Sequence, residues 1–170
     1  MRLVERLLDQ LNRAWGGDAW HGPPLRTLLD GVSERQSAER PLSGVHTIGE
    51  IVMHVTVWID VVTRRLHGEA FEPASAAEDW PPCEKLSAAL TRLEDAHSRL
   101  LDTVARMSAD ALDNPVPGKP YTAYVMLEGI IQHNLYHAGQ IALLKKTLAG
   151  WPPTSPPTGE QRPSATSSFS

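Results

Sequence analysis

Near the C-terminal end of the chain, Met126, Ile130, His133, His137, Ile141, Leu144 and Leu148 recur every three or four residues. That interval marks one face of an α-helix, where about 3.6 residues make a turn. The run starts near Thr122 and stops at Gly150. A helix this long with one apolar stripe needs partners to cover the stripe, so the rest of the chain has to supply them.

Three further segments do. Residues from about Arg2 to Trp15 put Leu3, Leu7, Leu8, Leu11 and Trp15 on one stripe, and Gly16-Gly17 ends it. Thr47-Ile48-Gly49-Glu50 reads as a capping box, with the Thr hydroxyl and Glu carboxylate satisfying orphan backbone donors. Behind it Ile51, Val55, Trp58, Val62 and Leu66 continue to the stop at Gly68. The third segment, about Glu84 to Met107, carries Leu86, Leu90, Leu93, Leu100, Val104 and Met107.

Between these lie a short apolar helix through Leu25, Leu28 and Leu29, a linker from Glu69 to Pro82 containing Trp80, and the proline-rich stretch Asn114 to Pro120. The prolines forbid helix in the last of these. No internal repeat and no useful strand stands out. The pattern predicts an all-α four-helix bundle over residues 1–150 with a short extra helix. A Pro/Ser/Thr-rich tail, 151–170, lacks the apolar content to pack and is expected to be mobile or on the surface.

Composition narrows the partners. The chain has 170 residues, 41% hydrophobic and 21% charged, which suits one soluble domain with a real core. A net charge of -4 with no Lys/Arg cluster argues against nucleic acid. No run approaches the roughly 20 apolar residues of a membrane span, and the charged start Met1-Arg2-Leu3-Val4-Glu5-Arg6 lacks the apolar core of a secretory signal. Cys83 is alone, so no internal disulfide forms. The expected location is the cytoplasm.

Seven histidines remain to be sorted. His133 and His137 stand i, i+4, so both project from the same helix face, and that face is the apolar stripe. Such a pair can be two hydrogen-bonded core histidines. A divalent ion satisfies both at once, and imidazole suits Zn, Ni, Fe or Cu. His54, midway along the second long helix in Ile51-Val52-Met53-His54-Val55, is the natural third ligand from another helix. His97 sits between Leu93 and Leu100 and is expected in the core. His67 lies at a helix C-terminus, where the dipole favours a cation. His46 precedes the capping box, and His21 follows Trp20 near a turn. The residues between His133 and His137 are Asn134, Leu135 and Tyr136, so the general-base glutamate of an H-E-x-x-H protease is missing. The single E-x-x-H, Glu94 to His97, does not make a di-iron bundle.

Three stretches carry a resemblance: Trp20-His21-Gly22; His46-Thr47-Ile48-Gly49-Glu50-Ile51-Val52-Met53-His54-Val55 followed by Trp58; and Gln132-His133-Asn134-Leu135-Tyr136-His137-Ala138-Gly139-Gln140-Ile141. Over roughly residues 1 to 150 the chain resembles the DinB/YfiT-like superfamily of metal-dependent four-helix bundles. The first stretch is weak alone, and the last is specific in context. The resemblance places the metal triad on His54, His133 and His137. It implies a homodimer and, by analogy with some members, a transferase or isomerase that uses a low-molecular-weight thiol. The superfamily's name describes induction by DNA damage and implies no DNA binding. Many relatives carry Trp where Gly49 stands, which implies more room beside the site here.

Three neutral imidazoles leave a divalent ion, Zn or Ni first, with its full charge and an open position, the pattern of a catalytic rather than a structural site. The leading expectation is a thiolate attacking an electrophile in detoxification or stress response, with both reactants as small molecules. Cys83 has no reason to enter the site. The alternatives are a hydrolase of a small amide or ester and a non-catalytic metal-binding dimeric scaffold. Gln140 is a candidate to orient a ligand, Glu50 is the capping-box partner, Tyr136 points to another face, and Trp58 and Trp20 are candidates to wall a pocket.

Overall fold

The computed structural model describes residues 3–149, so Arg2, Gly150 and the predicted tail lie outside the described residues. Four long helices form a bundle: α1 (Leu3–Trp15), α4 (Ile48–Leu66), α6 (Leu86–Ala105) and α7 (Ala123–Leu148). Three short ones join them, α2 (Leu25–Leu29), α3 (Glu34–Ala38) and α5 (Ala76–Asp79), with a 3-10 turn at Asp110–Asp113. The all-α bundle is therefore the observed architecture. Helix α4 packs against α6 and α7, and α1 against the same two, so α4 and α1 lie on opposite corners. No helix among the described residues is long and apolar enough to cross a membrane.

The capping box of α4 forms as read. Thr47 N donates to Glu50 Oε2 at 2.8 Å, and Glu50 N donates to Thr47 Oγ1 at 3.2 Å. Arg40 adds an ion pair to Glu50 at 2.7 Å. Burial works against the Glu50 carboxylate, but the Thr47 amide and Arg40 outweigh it and hold the carboxyl below its ordinary range. Two further caps were legible but unread: Ser33 with Gln36 forms a second capping box, and Ser75 accepts from Glu78 N to start α5. Their helices are only five and four residues long, too short to show periodicity.

Helix α4 is apolar almost all round, as its central place demands. Ile51, Val55, Ile59 and Val62 are buried, and so are Thr56 and Thr63. Their hydroxyls donate back to the Val52 and Ile59 carbonyls, which removes the cost of burying them. On α1 the inward stripe is Val4, Leu7, Leu11 and Ala14. Leu3, expected inside, is 43% exposed, because the stripe begins one residue later. Lys145 on α7 donates to the Leu28 and Asp30 carbonyls at 2.6 and 2.8 Å, tying the end of α2 to the bundle.

His97 is in the core as predicted, stacked on Trp15 with centroids 4.7 Å apart. Neither of its ring nitrogens has a hydrogen-bond partner among the described residues. Burial pushes it down to about 4. A histidine with a depressed pKa destabilises the fold once the unfolded chain takes up protons. Its contribution is intact above pH 6.5 and is lost as pH falls toward 4, on the order of 3 kcal/mol in all. His97→Leu, of similar volume and with no orphan nitrogens, should unfold at higher denaturant than wild type at pH 5. The gap should narrow at pH 7.5. Equal gaps at both pH values would show that His97 is not the acid-sensitive group.

Candidate metal centre

Adjacent helices α4 and α7 bring the three predicted histidines together. His54 comes from the middle of α4, and His133 and His137 come from one face of α7, a turn apart. His133 Nε2 lies 3.1 Å from His54 Nε2 and 3.2 Å from His137 Nε2. One ligand atom from each ring falls within 4.8 Å of the other two. Two imidazoles bound at about 2.1 Å to one ion stand about 3.0–3.4 Å apart for bond angles from square to tetrahedral. His133 already meets that spacing with both neighbours. The outer pair, within 4.8 Å, has to draw closer to reach the same spacing.

Hydrogen bonds fix which nitrogen of each outer ring holds the proton. His54 Nδ1 lies 2.9 Å from the Asp79 carbonyl and 3.1 Å from its carboxylate. A carbonyl only accepts, so Nδ1 carries the hydrogen and Nε2 presents a lone pair. His137 Nδ1 donates to Gln140 Oε1 at 2.7 Å, and its Nε2 faces inward likewise. Gln140, a candidate orienter, therefore holds a ligand ring. Among the described residues, neither His133 Nδ1 nor Asn134 Oδ1 beside it makes a hydrogen bond of good geometry, although the two side chains interact.

Three inward Nε2 atoms with one proton to share cannot satisfy one another. His133 Nε2–H can donate to one neighbour, and the lone pair of the other neighbour is then left without a donor. A cation at the centre relieves this, so the donor set fits a metal ion. Burial favours the neutral, ligand-ready rings. It lowers His54 and His137, and with the neighbouring histidines it pushes His133 down to about 4.

The surrounding shell was largely missed in the sequence. Trp80, from the 69–82 connection, lies flat between His54 and His46, with centroids 3.7 and 3.5 Å away and planes within 5°. Asp79 accepts from Trp58 Nε1 at 2.7 Å as well as holding His54. Trp58 stands beside His54 and His133, so it does wall the site. Trp20 does not: it is wholly exposed and lies at a separate surface cavity beside Arg13 and Leu135. Gly49 also departs from expectation. A Cβ there would meet Cys83 Cβ at 2.9 Å and the Ser37 carbonyl at 3.1 Å, so the missing side chain admits Cys83 and opens no space at the site. Tyr136 is exposed and touches His137 only edge-on. His46 bonds Glu50 through Nδ1 at 3.2 Å, and His67 Nδ1 donates to the Thr63 carbonyl at the end of α4.

His54 and His137 are buried, and His133 is half-buried against an open cavity of about 310 Å³. The cavity is apolar along Val62, Val125, Met126 and Ile130. Access to the triad therefore runs past His133 and Trp58.

Fold and triad together define a bundle with a facial three-histidine donor set. A family model for the DinB superfamily matches residues 20–141, and the chain belongs to that superfamily. No curated protein and no solved structure matches it.

Partners that orient metal-binding histidines contribute roughly 10–100-fold in affinity. Gln140→Leu should weaken zinc binding by that factor in competition with a chromophoric chelator, while Tyr136→Leu should leave it unchanged. Equal affinity in Gln140→Leu would show that the His137–Gln140 bond does not set the ligand.

Proposed function

We propose that the chain is a metal-dependent transferase in which His54, His133 and His137 hold one divalent ion, Zn or Ni, and a low-molecular-weight thiol attacks an electrophilic small molecule. The observation that carries this reading is the convergence of three Nε2 atoms, with the outer Nδ1 atoms held by Asp79 and Gln140. Three neutral ligands leave the ion's charge uncompensated, as in catalytic sites. When bound, such an ion supplies Lewis acidity that favours thiolate over thiol near neutral pH.

The chain's own residues support a thiol brought from outside. Cys83 is not among the converging donors, and burial, then the charge of Glu34, pushes its thiol up from the ordinary range. Asp79 and Gln140 hold the outer rings, Trp80 and Trp58 exclude water from their faces, and the apolar cavity at His133 receives the electrophile. In the reaction a sulfur–carbon bond forms and the bond from that carbon to its leaving group breaks. The electron pair goes to the leaving group, which departs as an anion such as chloride, and the thiol proton passes to solvent.

Elemental analysis of protein purified without a nickel column tests the first half. About one metal per chain is expected in wild type, and none in His133→Ala/His137→Ala. An absence of metal in wild type after incubation with Zn or Ni sinks the proposal. In the second half, the loaded protein should consume an electrophile such as a chlorinated dinitrobenzene only when a thiol is present. Cleavage of a small ester or amide with no thiol requirement would move the reading to a hydrolase.

A further inference from the structure

The far end of the cavity at His133 holds an unusual group. Among the described residues Arg65 is the one permanently charged side chain that is buried, its side chain 3% exposed. Its neighbour Arg64 points outward, pairs with Glu69 at 2.6 Å and covers the Phe71 ring. Arg65 turns inward and lines the cavity with Tyr121.

Its hydrogen bonds are few for a buried guanidinium with five N–H donors. Nε donates to the Phe71 carbonyl at 2.8 Å, and Nη1 donates to the Tyr121 hydroxyl oxygen at 3.4 Å. Among the described residues Nη2 has no hydrogen bond, only an ion contact to Glu72 at 3.7 Å. Glu72 is itself 56% exposed and gives both carboxylate oxygens to Lys119 at 2.8 Å. A bond from Nε alone would staple the 69–73 segment to α4. It leaves unexplained why a full positive charge is kept in an otherwise apolar wall, where a buried ion is costly and its acidic neighbour Glu72 is half-exposed and shared with Lys119. Tyr121 accepts from Arg65, and its own hydroxyl proton has no acceptor among the described residues. Arg65 Nη2 and the Tyr121 O–H thus form a two-donor cationic seat.

We propose that this cavity takes a small molecule with an apolar body and a terminal carboxylate, the carboxylate on Arg65 and Tyr121 and the reacting end beside His133. The placement of the reacting end rests on the function proposed above, whereas the anion seat stands on Arg65 alone. Helical spacing sets the scale. Trp58 to Arg65 on α4 and Met126 to His133 on α7 are each two turns, about 10 Å. A medium-length apolar chain spans that distance. A carboxylate offers one oxygen to Arg65 Nη2 and the other to the Tyr121 O–H, and its charge strengthens the first bond in a way an alcohol cannot match.

The test titrates octanoate and octan-1-ol into zinc-treated protein by calorimetry, with zinc content measured on the same samples. Wild type should bind octanoate at least tenfold more tightly than octanol. Arg65→Gln should lose that preference. Gly129 lines the cavity, and a Cβ there meets no atom within 4 Å, so Gly129→Leu should fill the groove without strain and abolish binding of both ligands. Equal binding of octanoate and octanol overturns the proposal, as does an Arg65→Gln protein that binds octanoate like wild type, because the carboxylate then sits elsewhere, such as at the histidines. Should Arg65→Gln not fold, the octanoate preference of wild type and its loss in Gly129→Leu decide. A chain that holds no zinc yet keeps an Arg65-dependent octanoate preference refutes the proposed reaction and supports the anion seat; zinc binding without the preference does the reverse.

Discussion

Two helices can lie side by side with three imidazoles between them only if something accounts for the nitrogens that meet. In this bundle α4 and α7 make that approach at His54, His133 and His137, and His133 Nε2 stands 3.1–3.2 Å from both others. Apolar side chains there would pack with no electrostatic demand. The histidines instead put polar atoms into the seam, where an unsatisfied group costs on the order of 1–3 kcal/mol. Asp79 and Gln140 settle two of the outward nitrogens, and the inward ones are left facing a common point. Much of the local structure follows from holding that arrangement.

The 69–82 connection is the clearest consequence. It leaves α4 at Gly68, where φ is +90° and a residue with a side chain would be strained, and doubles back along the helix. Helix α5 then sets down Asp79 and Trp80 on top of His54. One residue supplies a carbonyl acceptor for the ring nitrogen and a carboxylate for Trp58; the next covers the ring face. A short helix capped by Ser75 is an economical way to fix both, because its geometry is local and its one cap defines where it starts.

What could be read in the sequence divides along the same line. The triad was legible because i, i+4 spacing on an apolar stripe places two rings together without knowledge of the rest, and His54 stood in a run with almost nothing polar around it. The start of α4 was legible from Thr47 and Glu50. The shell was not. Asp79 acts mainly through a backbone carbonyl, which no residue type announces, and Trp80 lies in a stretch with no periodicity. Gly49 shows the limit of reading a small residue as space: the fold brings Cys83 from 34 residues further on into the place a side chain would take. Arg64 and Arg65 look alike in the sequence, a pair of cations in the last turn where the helix dipole favours them. Only the packing of Phe71 and Tyr121 sends one out and one in.

That inward arginine extends the face begun at His54 to the last turn of α4. His54, Trp58, Val62 and Arg65 follow each other along the helix at intervals of three or four, so a single face carries a ring of the candidate metal centre, an aromatic wall, an aliphatic floor and a cation. Helix α7 supplies the opposite wall through Met126, Ile130 and His133. The same periodicity that builds the core thus builds the cavity, and the two differ only in where Gly129 leaves a side chain out. Because both polar ends sit on rigid helices with apolar residues between them, their separation is set by helical rise and not by a loop. A ligand would therefore be selected by length as well as by charge. In the proposed seating, too short a body would leave the Arg65 end empty, and too long a one would carry the other end past His133.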